Sequence, residues 1–207
     1  MSVYEHHVVA FGPGRLAEVT RAITSTGRAA VAAKGGQLFG VWKPLIGISF
    51  NHVVAVTEWP DEAVAADHAD TAIMGISGIK IEQHDVWLPT LRPAPGSVCR
   101  SDPGFVTHRW YDIREADIDR FLELSSNTWG NWEGVHDGGV QGLWRQKSSP
   151  APGLIRMRLM AWYRDMSVWE RSRHWKGTKG AETANKNLGQ RYDLTLDSAV
   201  SILQPVV

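Results

Sequence analysis

Gly142-Leu143-Trp144-Arg145 is the stretch from which the fold of this chain can be worked out. It opens a predicted hairpin whose second strand spans 154–163, and a predicted helix over 165–175 follows. In the first half, Gly40-Val41-Trp42-Lys43 opens the same succession of a turn, a strand over 51–58 and a helix over 60–74. Because one kind of tetrapeptide begins the same order of elements twice, the sequence predicts an internal duplication.

The order β-α-β-β-α-β is predicted for each half, with a Pro/Gly-rich linker over 92–97 between them. β-Branched runs bounded by Gly and Pro predict the strands, and helical periodicity predicts the helices. We therefore expect two units, 1–97 and 98–207. The predicted strands span 3–11, 37–43, 51–58, 79–91, 105–113, 140–146, 154–163 and 191–203, and the polar stretch 176–190 is predicted to be irregular.

A β-α-β-β-α-β unit is ferredoxin-like: it has a four-stranded antiparallel sheet with both helices on one face. The other face is bare, and two fused units can bury those faces against each other. The predicted fold is therefore α+β, two ferredoxin-like halves forming a barrel with helices outside. The lumen between the two sheets is the default ligand site.

Composition excludes several classes of partner. Basic and acidic residues number 22 each, so no global charge attracts nucleic acid or an anionic membrane. Neither a long apolar run nor a signal-peptide pattern is found, and the single Cys99 fits a reducing compartment. We expect a cytoplasmic protein that binds no nucleic acid and no membrane. Its ten Trp suit either cores or ligand pockets.

Several short motifs resemble those of NIPSNAP-family domains. The opening 4–18, Tyr-Glu-His-His-Val-Val-Ala-Phe-Gly-Pro-Gly-Arg-Leu-Ala-Glu, resembles the family's first strand and helix. The segments 51–54, 91–93 and 162–173 resemble its Asn-x-Val-Val strand, Leu-Arg-Pro ending and Glu-Arg helix. His7 replaces the family's usual Arg, which Arg109 restores in the second half. The resemblance implies the dimeric α+β-barrel superfamily but no particular reaction.

That superfamily also contains EthD-like proteins, antibiotic-biosynthesis monooxygenases and haem-degrading monooxygenases. The segment 58–63, Glu-Trp-Pro-Asp-Glu-Ala, together with His68, is similar to the Trp…His segment of the monooxygenase branch. The resemblance implies an oxygenase-like or lyase/isomerase-like activity. His68, or else His7, is the candidate ligand if haem is bound.

His7 and Arg109 are the candidate catalytic residues, since they lie at equivalent positions on the first strand of each half. If both face the lumen, a neutral His can take a proton and Arg can hold the developing anion. The alternative is that they are rim residues paired with carboxylates such as Glu5. His6 and His108 also align, on the opposite strand face, so His6 and His7 do not make a metal pair.

The second-half hairpin supplies further lumen candidates. Alternation places Arg156, Arg158, Met160 and Trp162 on the lumen face, because the other face is more apolar. The alternative is a register shifted by one residue, which would turn these arginines outward. Trp42 and Trp144 are either core plugs or pocket walls, and a Glu58–Arg158 ion pair is the alternative to ligand binding. The predicted substrate-binding residues are His52, Glu58, Trp59, Arg156, Arg158, Trp162, Trp42 and Trp144.

Three functional hypotheses follow. The first is an enzyme that uses the lumen for proton transfer or cofactor-independent oxygenation of a small, largely apolar substrate, without cofactor or metal. The second is a non-catalytic NIPSNAP-like binding or scaffold protein, whose lumen is filled by Trp42, Trp144 and Trp162. The third is a haem-binding barrel. In each case the expected partner is a small molecule, and a homodimer is plausible because edge strands of such units often pair.

Overall fold

In the computed structural model, which describes residues 1–206 and every side chain among them except that of Lys179, eight antiparallel strands close into one barrel. Val207, the last residue of the predicted second half, lies outside the described residues. The strands are β1 (Val3–Phe11), β2 (Gln37–Ile46), β3 (His52–Trp59), β4 (Ile79–Arg92), β5 (Phe105–Arg114), β6 (Gly138–Gln146), β7 (Leu154–Tyr163) and β8 (Thr195–Pro205). The helices are α1 (Leu16–Ala22), α2 (Arg28–Ala33), α3 (Glu62–His68), α4 (Ile118–Glu133), α5 (Met166–Arg173) and α6 (Lys179–Asp193).

The barrel order is β1-β3-β2-β8-β5-β7-β6-β4, closed by pairing of β4 with β1. It divides into two four-stranded sheets, β4-β1-β3-β2 and β8-β5-β7-β6, which are the ferredoxin-like sheets of the two halves. The pairs β2–β8 and β4–β6 join them. The predicted fold, two ferredoxin-like halves fused into a dimeric α+β-barrel-like unit, is confirmed. Among the described residues, no helix has both the length and the apolar character needed to cross a bilayer.

The tetrapeptides 40–43 and 142–145 pack in the same way, one in each half. A Cβ added at Gly142 would lie within 2.5 Å of three ring atoms of Trp144, and one at Gly40 would collide with the ring of Trp42. Pairing also shifts register at both glycines, as at a β-bulge. Each glycine therefore makes room for the indole two residues later, which turns into the lumen and is almost fully buried.

The prediction that 176–190 is irregular was wrong, because α6 occupies most of it. The hydroxyl of Thr178 accepts a hydrogen bond from the backbone N–H of Ala181, which caps the helix. Ala181 and Ala184 are fully buried, and Arg191 continues the same face. Small side chains on this face let α6 lie close to its neighbours, so packing stabilises a helix with a polar sequence.

The linker between the halves, which in the structure is the connection 93–104 from β4 to β5, closes one end of the barrel. The N–H of Cys99 donates to the carbonyl of Phe39 at 2.9 Å, and that of Arg100 donates to Oε1 of Gln141 at 2.8 Å. The guanidinium of Arg100 lies 3.6 Å from the ring centre of Trp162. Since the linker fills this end, a ligand would have to enter the lumen from the other end.

Candidate functional site at the open end of the lumen

The face of β1 that lines the lumen is not the predicted one but the opposite one. Tyr4 and Val8 belong to the apolar cluster inside the barrel, whereas Val3 and Val9 belong to the cluster beneath the helices. His6 therefore points into the lumen, and His7 points outward. The prediction for His7 was wrong because β1 is buried on both faces, so alternation alone does not tell which face is inside.

His7 lies instead in a hydrogen-bonded network on the outer face of the first half. Its Nε2 is 2.7 Å from Oδ1 of Asp70. Glu5 accepts a hydrogen bond from the indole of Trp59 at 2.7 Å, and its other oxygen is 3.1 Å from Nε2 of His84. Trp59, a predicted substrate contact, is thus also on the outer face. Neither His7 nor Trp59 can contact a ligand in the lumen.

Glu5, His7 and His84 could offer three metal-ligand atoms within 4.8 Å of one another. The rings of His7 and His84 are, however, stacked at 4.5 Å with an interplanar angle of 5°. A metal bound to an imidazole nitrogen lies in the plane of that ring, so two stacked, parallel rings cannot both point to one ion. In this arrangement the three side chains form a hydrogen-bonded network rather than a chelating site.

Arg109 also points away from the lumen. It lines a cavity between the second sheet and its helices, together with Arg173 and Arg191. The face of β5 that is inside the barrel carries Val106 and His108. The predicted meeting of His7 and Arg109 was therefore wrong: each lies behind its own sheet.

The predicted orientation of the hairpin strand β7 is correct. Met160 and Trp162 belong to the cluster inside the barrel, while Ile155, Met157 and Leu159 pack against the helices. Arg158 shares the inner face and is 5% exposed. Arg156, at the barrel rim, donates two hydrogen bonds of 2.6 Å to the carboxylate of Asp112.

Aromatic side chains fill the lumen near the linker end. Trp144 lies 5.6 Å from Tyr4, 5.7 Å from Phe39 and 5.6 Å from Trp87, measured between ring centres. Trp42 and Trp162 belong to the same cluster and are 1% exposed. The three indoles predicted either to plug the core or to line a pocket therefore plug this end.

A cavity of about 200 Å³ remains at the open end of the lumen. The ring of His6 stacks on Trp87 at 4.4 Å, and its centre is 4.9 Å from that of His108. Arg158, from the facing part of the barrel, completes the polar wall. The cavity lining is His6, Val8, Gly47, Ile48, Gln83, His108, Trp110, Arg158, Ala199, Val200 and Ser201.

Burial keeps both histidines neutral. It lowers the pKa of His6 well below its usual value, and His108 and Arg158 lower it further. Burial, and then Arg158, lowers the pKa of His108 to about 3. The pKa of Arg158 itself is lowered to about 10 by burial, against the opposing effect of Asp85. Near neutral pH the cavity thus holds two neutral imidazoles and one guanidinium cation.

Several polar atoms of this cavity have no hydrogen-bond partner among the described residues. They are both ring nitrogens of His6, Nε2 of His108 and Nε of Arg158. Within residues 1–206, the guanidinium of Arg158 has one ion-pair contact, at 3.1 Å to Asp85. Buried polar atoms are nearly always satisfied by protein, water or ligand. All three of these side chains line the one cavity, which makes it the candidate site for a polar ligand group.

The remaining predicted residues lie outside this cavity. His52 is 2.7 Å from Glu82. Glu58 accepts a hydrogen bond of 3.1 Å from the backbone N–H of Gly96, so the alternative Glu58–Arg158 pair is wrong. His68 ends α3, with its ring 5.9 Å from that of Trp59 on the outer face.

The prediction missed His6, His108 and Asp85 as site residues. The available signal was that His6 and His108 occupy matching positions in the first strands of the two halves, because such residues of two facing sheets can meet in the lumen. No local pattern could identify Asp85 as the partner of Arg158, since 73 residues separate them.

No family model matches this sequence, and no curated relative matches it. Solved structures do match. One from Lactobacillus acidophilus, provisionally described as a monooxygenase, has a TM-score of 0.61 at 10% identity, covering 99% of this chain and 93% of that one. An anthrone oxidase-like protein has a TM-score of 0.56 at 8% identity, covering 100% and 92%.

A chlorite dismutase from Candidatus Nitrospira defluvii has a TM-score of 0.58 at 5% identity, covering 99% and 91%. Identities this low establish the fold alone. The matches span nearly the whole length of each protein, and so include both sheets and both sets of helices. The chain has the dimeric α+β-barrel fold, which is the fold of these proteins.

Proposed function

We propose that the protein is a small-molecule enzyme whose active site is the cavity of His6, His108 and Arg158. The observation that supports it is that these three side chains line one cavity and carry buried nitrogens with no hydrogen-bond partner among the described residues. Each such atom costs about 1–3 kcal/mol when it is left unsatisfied. A ligand oxygen placed among them removes that cost.

The size of the cavity limits the substrate. A cavity of about 150 Å³ is enough for a benzene-sized molecule, and this one measures about 200 Å³. Its walls combine the apolar Val8, Ile48 and Trp110 with the polar groups at one side. We therefore infer a one-ring substrate that carries a phenol, or a carbonyl beside an acidic C–H.

The chemistry we propose is proton removal, followed where oxygen is present by oxygenation without a cofactor. Neutral His6 accepts a proton from the substrate, and the N–H groups of Arg158 and His108 stabilise the resulting anion. The substrate anion transfers one electron to O₂. The two radicals combine to form a C–O bond, and the proton held by His6 neutralises the peroxide. The substrate thus gains O₂ and becomes a hydroperoxide, with no other reductant consumed.

The lowered pKa of His6 is consistent with this sequence. In the empty cavity the proton is disfavoured by burial and by the neighbouring positive and imidazole groups. A substrate anion formed beside the ring opposes that effect, because an opposite charge at close range favours the protonated imidazole. Proton transfer is then coupled to formation of the anion that reacts.

The first experiment is native mass spectrometry of the purified protein, followed by denaturation and identification of any released molecule. Oxygen uptake is then measured with the released compound, or with one-ring phenols and hydroquinones. We expect His6→Leu to lower turnover by about 10²–10⁴-fold, and Arg158→Met to lower it comparably. The matched control is His7→Leu, one residue away on the opposite face. Equal loss in His6→Leu and His7→Leu would refute the lumen site.

A non-catalytic binding protein is the second candidate, supported by the filled end of the lumen. Trp42, Trp144 and Trp162 pack there as that hypothesis requires. In this case a small molecule would co-purify and bind the open cavity, but no compound of the panel would be turned over. His6→Leu would then weaken binding of the released molecule without any rate to change.

A haem-binding barrel is not supported by the residues present. The cavity of about 200 Å³ is below the roughly 300–1,000 Å³ that drug-sized ligands occupy. His68 packs beside Trp59 on the outer face, and Nε2 of His7 is bonded to Asp70. Neither histidine faces an opening in which a macrocycle could lie.

We also propose that the two halves, 1–97 and 98–207, are duplicated NIPSNAP-like units. The matching Gly-x-Trp packing in both halves supports this, as do the helix caps of Asp61 and Asp165, which each accept a hydrogen bond from the residue three positions later. Co-expression of the two fragments tests the boundary: reassociation into a folded barrel is expected, and insoluble fragments would contradict it. A homodimer stays a prediction, to be tested by sedimentation.

A further inference from the structure

A second cavity lies on the outer face of the second half, between its sheet and helices α4, α5 and α6. It measures about 90 Å³, and Arg109 of β5, Arg173 of α5 and Arg191 of α6 line it. We propose that this arginine pocket binds the carboxylate of a small organic acid. The proposal concerns a site separate from the lumen, because Arg109 and the lumen residue His108 point to opposite faces of β5.

The charge of the arginine pocket is not balanced by the protein. Among the described residues, no carboxylate lies within 4 Å of any of the three guanidinium groups, although nine contacts pair other arginines with acids. Two acids directly follow pocket-wall residues in the sequence: Asp112 already accepts two hydrogen bonds of 2.6 Å from Arg156, and Glu133 accepts two from Arg92, at 2.6 and 3.1 Å. A counter-ion must therefore come from outside the chain.

Of the three arginines, Arg191 gives the strongest evidence for a missing counter-ion, because its side chain is buried, with 8% exposure. Its guanidinium donates only to neutral oxygens, at 3.3 Å to the hydroxyl of Ser125 and 3.2 Å to that of Tyr111. A buried cation without an anionic partner is costly. Hydroxyl partners orient the group, and contacts with the rings of Tyr111 and Phe121, at 5.2 and 5.4 Å from the ring centres, offset only part of its charge.

Arg109 and Arg173 add to this unbalanced charge. Both line the same cavity, and the pKa of Arg173 is lowered by burial and then by the positive charge of Arg109. Like charges held together at a pocket repel each other until an anion lies between them. Guanidinium groups suit a carboxylate because they can donate two parallel hydrogen bonds to it.

The other walls favour an organic acid over an inorganic anion. Trp129, Trp132, Leu159 and Leu188 face the same cavity, and an inorganic ion would leave this apolar surface without a partner. The volume suits the carboxylate and a few carbon atoms. The rest of a larger acid, such as the outer part of a benzoate ring, would extend towards solvent past Arg173, which is exposed.

The test uses benzoate as the probe, with benzamide as its neutral analogue and inorganic phosphate as the inorganic anion. Binding to the full-length protein is followed by calorimetry and by the ligand-induced rise in Tm. We expect benzoate to bind, and both Arg109→Gln and Arg173→Gln to weaken it about ten- to a hundredfold, the loss of a hydrogen bond to a charged group. Arg114→Gln, which neutralises an exposed arginine on the same strand, is the matched control and should leave binding unchanged.

Each other outcome overturns the proposal in a distinct way. Benzamide binding as tightly as benzoate would show that charge is not recognised, and phosphate binding as tightly would show that the apolar walls are not used. Loss of benzoate binding in His108→Leu, with Arg109→Gln unaffected, would move the anion to the lumen. Because the two arginines of the test are not fully buried, both variants are expected to fold, which circular dichroism checks.

Discussion

Replacing Gly142 by Ala should destabilise the barrel strongly, although Ala is normally the better residue in a strand. The new Cβ would lie within 2.5 Å of three atoms of the six-membered ring of Trp144. That indole is fully buried, and Tyr4, Phe39 and Trp87 surround it with ring centres 5.6 to 5.7 Å away. It therefore cannot move aside without disturbing the whole aromatic cluster.

The expected cost is about 3 kcal/mol, the upper part of the usual range for overpacking a core. At about 2–4 °C per kcal/mol for a chain of this size, Tm should fall by about 6–12 °C. Urea unfolding followed by far-UV circular dichroism gives the free energy of unfolding. Gly139→Ala, on the same strand, is the control: its Cβ would meet nothing closer than 3.7 Å, so we expect a change within about 0.5 kcal/mol.

A double mutant identifies the cause. Trp144→Phe removes the ring atoms with which the new Cβ collides, so Gly142→Ala should cost much less in the Phe background than in the natural one. If Gly142→Ala costs under about 1 kcal/mol, or costs the same in both backgrounds, then steric exclusion between glycine and indole is not why the tetrapeptide occurs twice.

Three further predictions concern titration, thiol reactivity and a helix cap. The folded-state pKa of His108, about 3, lies below its ordinary 6.5, so its neutral form stabilises the fold fully above pH 6.5. As the pH falls from 6.5 towards 3, the free energy of unfolding decreases by about 1.4 kcal/mol per pH unit on account of this residue. His108→Leu should therefore flatten the acid limb of a stability–pH curve, and an unchanged slope would contradict the lowered pKa. Burial raises the pKa of Cys99 to about 12, so its thiol should react with Ellman's reagent about a hundredfold more slowly in the native protein than in urea. Equal reaction rates in native buffer and in urea would show that the linker moves away from the end of the barrel and exposes the thiol. Asp61 accepts a hydrogen bond of 2.9 Å from the N–H of Val64, so Asp61→Ala should cost about 1 kcal/mol in urea unfolding. Asp61→Asn should cost less, and equal losses would argue against the cap.

The order of elements, the two halves and the closed barrel could be predicted from the sequence, because strand and turn signals recur in the same order in each half. The orientation of β7 could also be predicted, since Ile155, Met157 and Leu159 make one face clearly more apolar than the other. The helix over 179–193 could not, because its stability comes from packing through Ala181 and Ala184 rather than from an apolar stripe.

The sequence by itself determined which residues share a face, because successive side chains on a strand alternate with a period of two. Only the tertiary structure decided which face of β1 and β5 is inside. Both strands are buried on both faces, by the lumen cluster on one side and by helices on the other, so polarity gives no sign of direction. The predicted lumen faces of these two strands were therefore off by one residue: His6 faces the lumen instead of His7, and His108 instead of Arg109. The lumen cavity and the arginine pocket thus lie on opposite sides of the second sheet, and long-range pairing alone assigns each residue to one of them.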